Sequence, residues 1–333
     1  ISNYSIEQVF YDHQREPIKK VADQQLKEMV EVFWSFKYLN HSYEDVRKEL
    51  EAQLASNKND RNFSYGSQEG LVCTVCSQRD SLTDQPFNRT EQYDKLKEKV
   101  MHTWTKRQDR SIGLIKNGER LCAVCLSKRL LRRYFRNHTN QSTEVFSSFP
   151  STGEIAGDSN YYSMLLMDGD NMGKWLSGKE PYQLPNYEGI SMEYHKEVSS
   201  RLSLYSSETV PDIIDRNGGR LIYSGGDDVL VLAPINKVFQ IAGELRDDFG
   251  SNEKGLNSNA TASAGIIIAH KNAPLQMVLN TLRGLESKAK NYDQGKKNAF
   301  ALGAHTSSGE IREVTLPWSI THSNQYHYLS ESC

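Results

Sequence analysis

Leu165-Leu166-Met167-Asp168-Gly169-Asp170-Asn171-Met172-Gly173-Lys174 and, further along, Tyr223-Ser224-Gly225-Gly226-Asp227-Asp228-Val229-Leu230 are the two stretches on which the reading of the fold turns. The first closes an apolar run, 161–167, with a carboxylate and opens into a glycine-bearing loop. The second is a Gly-Gly-Asp-Asp tip between two short strand-like runs, 220–223 and 229–233. Between the two motifs, 192–215 reads as mostly helical and is closed by Asn217-Gly218-Gly219. After them come an amphipathic helix over 235–249 ended by Gly250, a strand of β-branched and small residues over 260–269, a helix over 275–289 and a last short strand over 299–302. The order β-α-β-β-α-β is the split βαβ arrangement of ferredoxin-like folds, with further elements appended, and predicts an α+β palm domain over 161–305.

In that arrangement the third strand lies between the first two and runs antiparallel to them. The end of strand one therefore meets the start of strand three, which brings Asp168 beside Asp227 and Asp228. Carboxylates gathered this closely repel one another unless cations sit between them, and hard oxygen ligands suit Mg²⁺ or Mn²⁺ that also bind substrate phosphates. The chemistry implied is phosphoryl or nucleotidyl transfer, in which two metals about 3.5–4 Å apart stabilise the attacking and leaving oxygens. Gly169, Asp170, Asn171 and Gly173 form a loop whose backbone N–H groups can cradle a triphosphate. Ser224, Gly225 and Gly226 line the hairpin tip, and Lys290, Lys296 and Lys297 stand ready to neutralise phosphate charge. Taken alone, the Gly-Gly-Asp-Asp tetrapeptide also fits a simple tight turn, and isolated lysines are usually a solvated face. A calcium loop starting at Asp168 is disfavoured, because Met172 falls where an oxygen ligand is needed and Lys179 replaces the closing Glu.

Cysteine usage points to a second centre. Four of the five cysteines form two C-x-x-C pairs, Cys73/Cys76 and Cys122/Cys125, a tetrahedral thiolate set that suits structural Zn²⁺ and leaves no open coordination position. Predicted helices over 92–107 and 126–135 surround these pairs in a satellite domain over 71–140. The second of them carries Lys128, Arg129, Arg132, Arg133 and Arg136, read first as a solvated face and second as a contact for RNA phosphates or a neighbouring subunit. Apolar residues Ile18, Val21, Met29, Phe33, Phe36, Val46, Leu50 and Leu54 predict two amphipathic helices within a 1–70 segment, a remnant of a preceding domain. Ser, Thr, Gly and Asn dominate 141–160, read as a linker, and 306–333 reads as the start of a C-terminal segment. Lys and Arg number 40 against 42 Asp and Glu, so nucleic-acid contact must come from a local patch and not from overall charge. The absence of a membrane-length apolar run and of a signal-peptide layout predicts a cytoplasmic protein. The start at Ile1 and the end at Cys333 read as a piece of something longer.

The two motifs, together with Ser308-Gly309-Glu310-Ile311-Arg312 and Leu316-Pro317-Trp318, closely resemble the large cyclase/polymerase subunit of type III CRISPR effector complexes, Cmr subtype. The likeness runs from about Leu71 to Trp318. It implies a palm that joins ATP molecules into cyclic oligoadenylates, with Asp168, Asp227 and Asp228 holding the metals, the 3′-hydroxyl of one nucleotide attacking the α-phosphate of another, and pyrophosphate leaving. It further implies that partner subunits, a guide RNA and a target RNA switch the synthesis on. Three features depart from the family pattern: no His-Asp dipeptide occurs, so DNA cleavage is not expected; one palm is evident where the family pairs two; and the C-terminal helical domain is missing. Two rival readings stand beside this one. A cyclic dinucleotide synthase uses a similar palm, but its hairpin continues with Glu and Phe where this chain has Asp228-Val229. A non-catalytic scaffold would bind nucleotide or RNA without turnover.

Overall fold

The computed structural model describes residues 15–60, 70–83, 92–108, 115–138, 150–305, 310–322 and 325–328. Of the expected 141–160 linker, 141–149 lie outside them, whereas 150–160 are described and include a short helix, Thr152–Ala156, capped by Ser151. The chain divides into two compact units, Ile1–Tyr38 with Lys48–Ser148, and Leu39–Arg47 with Phe149–Cys333.

The first unit is built from helices Arg15–Lys27, most of Tyr43–Asn59, Tyr93–Gln108 and Ala123–His138. Its core gathers Ile18 and Ala22, Val100 and Trp104, and Leu121, Leu126 and Leu130 around Cys73 and Cys122. The Gln25 amide ties two pieces of it together, donating to the Asp80 carbonyl at 2.9 Å and accepting from the Ala123 backbone N–H at 2.8 Å. That second bond satisfies a donor at the start of Ala123–His138, which the helix itself leaves unpaired. The predicted helical reading fails over 28–42: Val30, Val32, Trp34, Phe36 and Tyr38 form an exposed run, neither helix nor strand, between the first two helices. Their spacing is two, not three or four, and β-branched and aromatic residues favour extended backbone.

The second unit is α+β. Its sheet contains β1 (Tyr161–Gly169), β2 (Arg220–Gly225), β3 (Asp228–Pro234), β4 (Ala262–His270), β5 (Ala299–His305) and β6 (Ile311–Pro317), in the order β2-β3-β1-β4-β5-β6. β3 runs antiparallel to both β1 and β2, and β4 antiparallel to β1, which is the split βαβ pattern. The helix Leu275–Lys290 then carries the chain over to β5, parallel to β4, as a parallel pair requires. β6 extends the sheet past residue 305 as an edge strand with Arg312 and Glu313 exposed.

β1 is central and buried on both faces. Leu165 and Met167 point into a core with Ile213, Val229, Ile241 and Phe249, while Tyr162 and Met164 point into another with Ile267, Val278, Leu282 and Leu285. This alternation, repeated on β4, holds β1 in register, because a one-residue slip would exchange its two faces. The predicted 192–215 helix is two helices, Met192–Leu204 and Val210–Arg216, joined by a π turn over Tyr205–Thr209. Pro211 has no N–H to continue an α-helical ladder, and the wider turn just before it absorbs that defect. Among the described residues no helix is long and apolar enough to cross a membrane.

Candidate metal and nucleotide site

Register alone assembles the acidic cluster. Met167 pairs with Val229, so the next residue of β1, Asp168, arrives beside the first residue of β3, Asp228, and Gly225↔Asp228 closes the hairpin that carries Asp227. Oxygens of Asp168, Asp227 and Asp228 all lie within 4.8 Å of one another. Two glycines permit this approach. Gly226 adopts φ +74, which a side chain resists, and a Cβ on Gly169 would stand 2.8 Å from both the Asp227 Cβ and the Phe249 ring. Gly169 thus lets the hairpin tip close over the end of β1.

The electrostatics are those of crowded acids. Burial, followed by the Asp228 charge, pushes the Asp227 carboxyl up, and burial raises Asp228 as well. Glu286, from the helix Leu275–Lys290, joins this environment; its carboxyl is raised by burial and then by Asp228 and Asp170. A Cβ on Gly265 would lie 2.6 Å from the Glu286 nitrogen, so this helix packs directly on the β4 backbone. Lys290 forms ion pairs with Asp168 and, at 3.2 Å, with Glu286. Burial and the nearby Lys297 hold its ammonium below the ordinary lysine value.

The other predicted positions separate. Asp170 is buried and turned inward, accepting from Thr261 and Ser263 at 2.8 Å and from the Asn298 backbone N–H at 3.0 Å. Its own N–H donates to the Thr261 carbonyl and is spent there. Asn171 takes the left-handed conformation that starts the short helix Met172–Leu176, and a Cβ on Gly173 would meet nothing within 4 Å. Ser224 Oγ is buried and has no hydrogen-bond partner among the described residues. A Cβ on Gly225 would collide with the Tyr223 hydroxyl. Lys290 and Lys297 stand near the acids, whereas the Lys296 side chain is 77% exposed and pairs with Asp293. Thr261, Ser263, Glu286 and Asn298 were missed from sequence, because they are ordinary strand, helix and loop residues whose role follows from packing.

In the first unit, one sulfur from each of Cys73, Cys76, Cys122 and Cys125 lies within 4.8 Å of the other three, and Cys76 and Cys122 Sγ are 3.7 Å apart. Four sulfurs about 2.3 Å from a tetrahedral zinc would be spaced about 3.8 Å apart, so the set fits Zn²⁺. A hydrogen bond from Cys122 lowers the Cys73 thiol to about 4, while Cys122 is raised by that same pairing and by burial. Cys125 is pushed up to about 12, first by burial and then by the Cys73 charge. One thiolate forms readily and then opposes the rest, a conflict that a divalent cation removes.

A split βαβ sheet with three carboxylates at the β1/β3 edge defines an acid-bearing palm. Residues 161–301 match the family model described as Cas10/Cmr2, second palm domain. The CRISPR system Cmr subunit Cmr2 of Pyrococcus furiosus is 33% identical over 185 residues, which are 50% of this chain and 21% of that protein. The chain therefore spans about a fifth of the curated relative it matches. Among solved structures, a chain of the type III-B Cmr-β complex in its apo state superposes with a TM-score of 0.57 at 15% identity, covering 96% of this chain and 55% of the other. A chain of the same complex bound to cognate target RNA gives 0.53 at 14% identity, covering 95% and 57%. At these identities the superpositions establish the fold.

Proposed function

We propose that this chain contributes the nucleotide-joining palm of a type III CRISPR effector, making cyclic oligoadenylate from ATP. The observation that carries the reading is the convergence of Asp168, Asp227 and Asp228 within 4.8 Å. This all-oxygen set at a sheet edge fits Mg²⁺ or Mn²⁺. Bound there, such ions would supply Lewis-acid stabilisation of the attacking and leaving oxygens. The chain's own residues bind and orient. The loop backbone at Asn171 and Gly173 and the unpaired Ser224 hydroxyl face a triphosphate, and Lys290 and Lys297 offset charge on its phosphates as pyrophosphate departs. Gly225 leaves space for the Tyr223 hydroxyl, and Gly226 supplies the positive φ that turns the tip, so that Asp227 and Asp228 can hold the cations to which the α-phosphate binds.

Partners follow from the whole assemblies that the relatives form: other Cmr subunits, with guide RNA and target RNA reached through the complex. Zinc held by Cys73, Cys76, Cys122 and Cys125 stabilises the satellite unit and takes no part in chemistry. The setting is the cytoplasm.

The test incubates the effector complex containing this chain, beside the chain alone, with labelled ATP or GTP and Mg²⁺ or Mn²⁺, with and without target RNA, and resolves products by mass. RNA-stimulated cyclic oligoadenylate is the expected result. Guanine-only dimers would point to a cyclic dinucleotide synthase. Metal-dependent nucleotide binding without any product would leave a scaffold.

A further inference from the structure

Asp170 is the one carboxylate of the Asp168-Gly169-Asp170 motif that faces away from the acidic cluster, and the proposed reaction gives it no direct part. It is 1% exposed, and its two oxygens accept from three donors: Ser263 on one, Thr261 and the Asn298 N–H on the other. The third donor lies at the end of the loop that joins the helix Leu275–Lys290 to β5. This loop is conformationally costly. Asp293, Gln294, Lys297 and Asn298 all have positive φ, at 45°, 59°, 64° and 48°, and neither Gln nor Lys is at ease there. Such a backbone persists only where its surroundings hold it. The holding contacts converge on Asn298: its N–H is bound by Asp170, its side-chain oxygen by Arg246 at 3.2 Å, and its carbonyl by the Trp318 N–H at 3.3 Å.

The residue next to this anchor is Lys297. Unlike exposed Lys296, it is partly buried, and the adjoining Asn298 N–H is held at 3.0 Å by Asp170, two residues beyond Asp168 of the acidic cluster.

We propose that Asp170 is a positioning residue: a buried latch that fixes the left-handed 291–298 loop and thereby sets Lys297 beside the nucleotide phosphates, without itself touching metal or nucleotide. The latch is read from contacts alone; the part that concerns phosphates rests on the function proposed above.

The test uses the full chain and two readouts: hydrogen exchange at the Asn298 amide, and binding of a non-hydrolysable ATP analogue with Mn²⁺. Asp170→Ala is expected to speed exchange across 291–298 and to weaken analogue binding about tenfold. Lys297→Ala should weaken binding similarly while leaving exchange unchanged, and the double variant should bind no more weakly than Lys297→Ala, because one residue acts through the other. Asp170→Asn should stay near the parent in both readouts. Its amide oxygen still accepts from Thr261 and Asn298, and the Ser263 hydroxyl can turn to accept from its NH₂. Unchanged exchange in Asp170→Ala, or additive losses in the double variant, would overturn the proposal. So would an Asp170→Asn chain that keeps its protection but loses binding, since the charge itself would then be acting on the ligand. If Asp170→Ala does not fold, Asn298→Pro, which lacks the N–H bound by Asp170, decides: faster exchange across 291–298 together with weakened binding supports the latch, and unchanged exchange and binding overturn it. No analogue binding by the unsubstituted chain would sink the nucleotide reading itself, and exchange at Asn298 would still decide whether Asp170 holds the loop.

Discussion

Two clusters of ionisable groups organise this chain, and they are built in opposite ways. The cysteine cluster lies inside the small core of the first unit, where Cys73 and Cys122 are fully buried beside Leu121, Leu126 and Trp104. The acidic cluster sits at a sheet edge, with all three aspartates only partly buried and with Lys290 and Glu286 around them. Four soft sulfurs with no open position suit an ion that holds a fold together, and three hard, partly exposed oxygens suit ions that exchange ligands with a substrate. The first cluster is part of its unit's core, whereas the second rests on a core that stands without it.

The comparison is broken most directly at Cys122. Cys122→Ser should remove bound zinc and most of the cooperative unfolding of the first unit, because a structural zinc contributes about 10–16 kcal/mol of apparent binding free energy. Zinc content would be measured by metal analysis and unfolding by calorimetry. A variant that retains its zinc and a sharp transition would show that the four sulfurs do not share an ion.

The converse prediction concerns Asp227 and Asp228. Replacing both with Ala should cut nucleotide joining by at least about 10³-fold, or about 4 kcal/mol of transition-state stabilisation. Thermal stability at neutral pH in the absence of divalent metal should not fall. Both carboxyls are held above their ordinary value, so their ionised forms oppose folding, and the opposition is relieved as pH falls through the raised values. If the double variant unfolded at markedly lower temperature, the acidic cluster would be part of the scaffold and the contrast would collapse.

A smaller effect sharpens the link between packing and chemistry at Gly169. A Cβ there would meet the Asp227 Cβ and the Phe249 ring, so Gly169→Ala should cost about 1–3 kcal/mol of stability, as overpacking does, and should also reduce activity by displacing the hairpin tip. Stability lost without activity lost would separate Gly169 from the site.

How much of this was legible in the sequence follows the same division. The split βαβ order and the meeting of Asp168 with Asp227 and Asp228 could be read, because strand alternation and a Gly-Gly-Asp-Asp turn are local signals and the topology does the rest. The cysteine pairs were legible from spacing. Glu286 was not, since it reaches the acids only because Gly265 lets its helix lie on β4. Nor was the inward turn of Asp170, which depends on Thr261, Ser263 and Asn298 arriving from three other places in the chain. The strand β6 gave little signal, as an edge strand with charged Arg312 and Glu313 has one apolar face at most. The 28–42 segment misled because apolar residues dense enough to match one period also match another.

The smallest expected effect separates two adjacent lysines that the sequence does not rank. Lys296 is solvent-exposed and pairs with Asp293 three residues away, while Lys297 is partly buried and acts electrostatically on Lys290 and Glu286. Long-range charge effects from an exposed ammonium are screened within about 8–10 Å at physiological salt. Lys296→Ala should therefore change the Michaelis constant for ATP by less than about twofold, and raising the salt concentration should erase even that difference. Lys297→Ala, assayed beside it, should raise the same constant several-fold and persist at high salt, because the partly buried charge is screened less. Equal losses from the two substitutions would mean that the whole 291–298 loop presents a diffuse positive face to the substrate, and that the left-handed turn at Lys297 does not single out one ammonium.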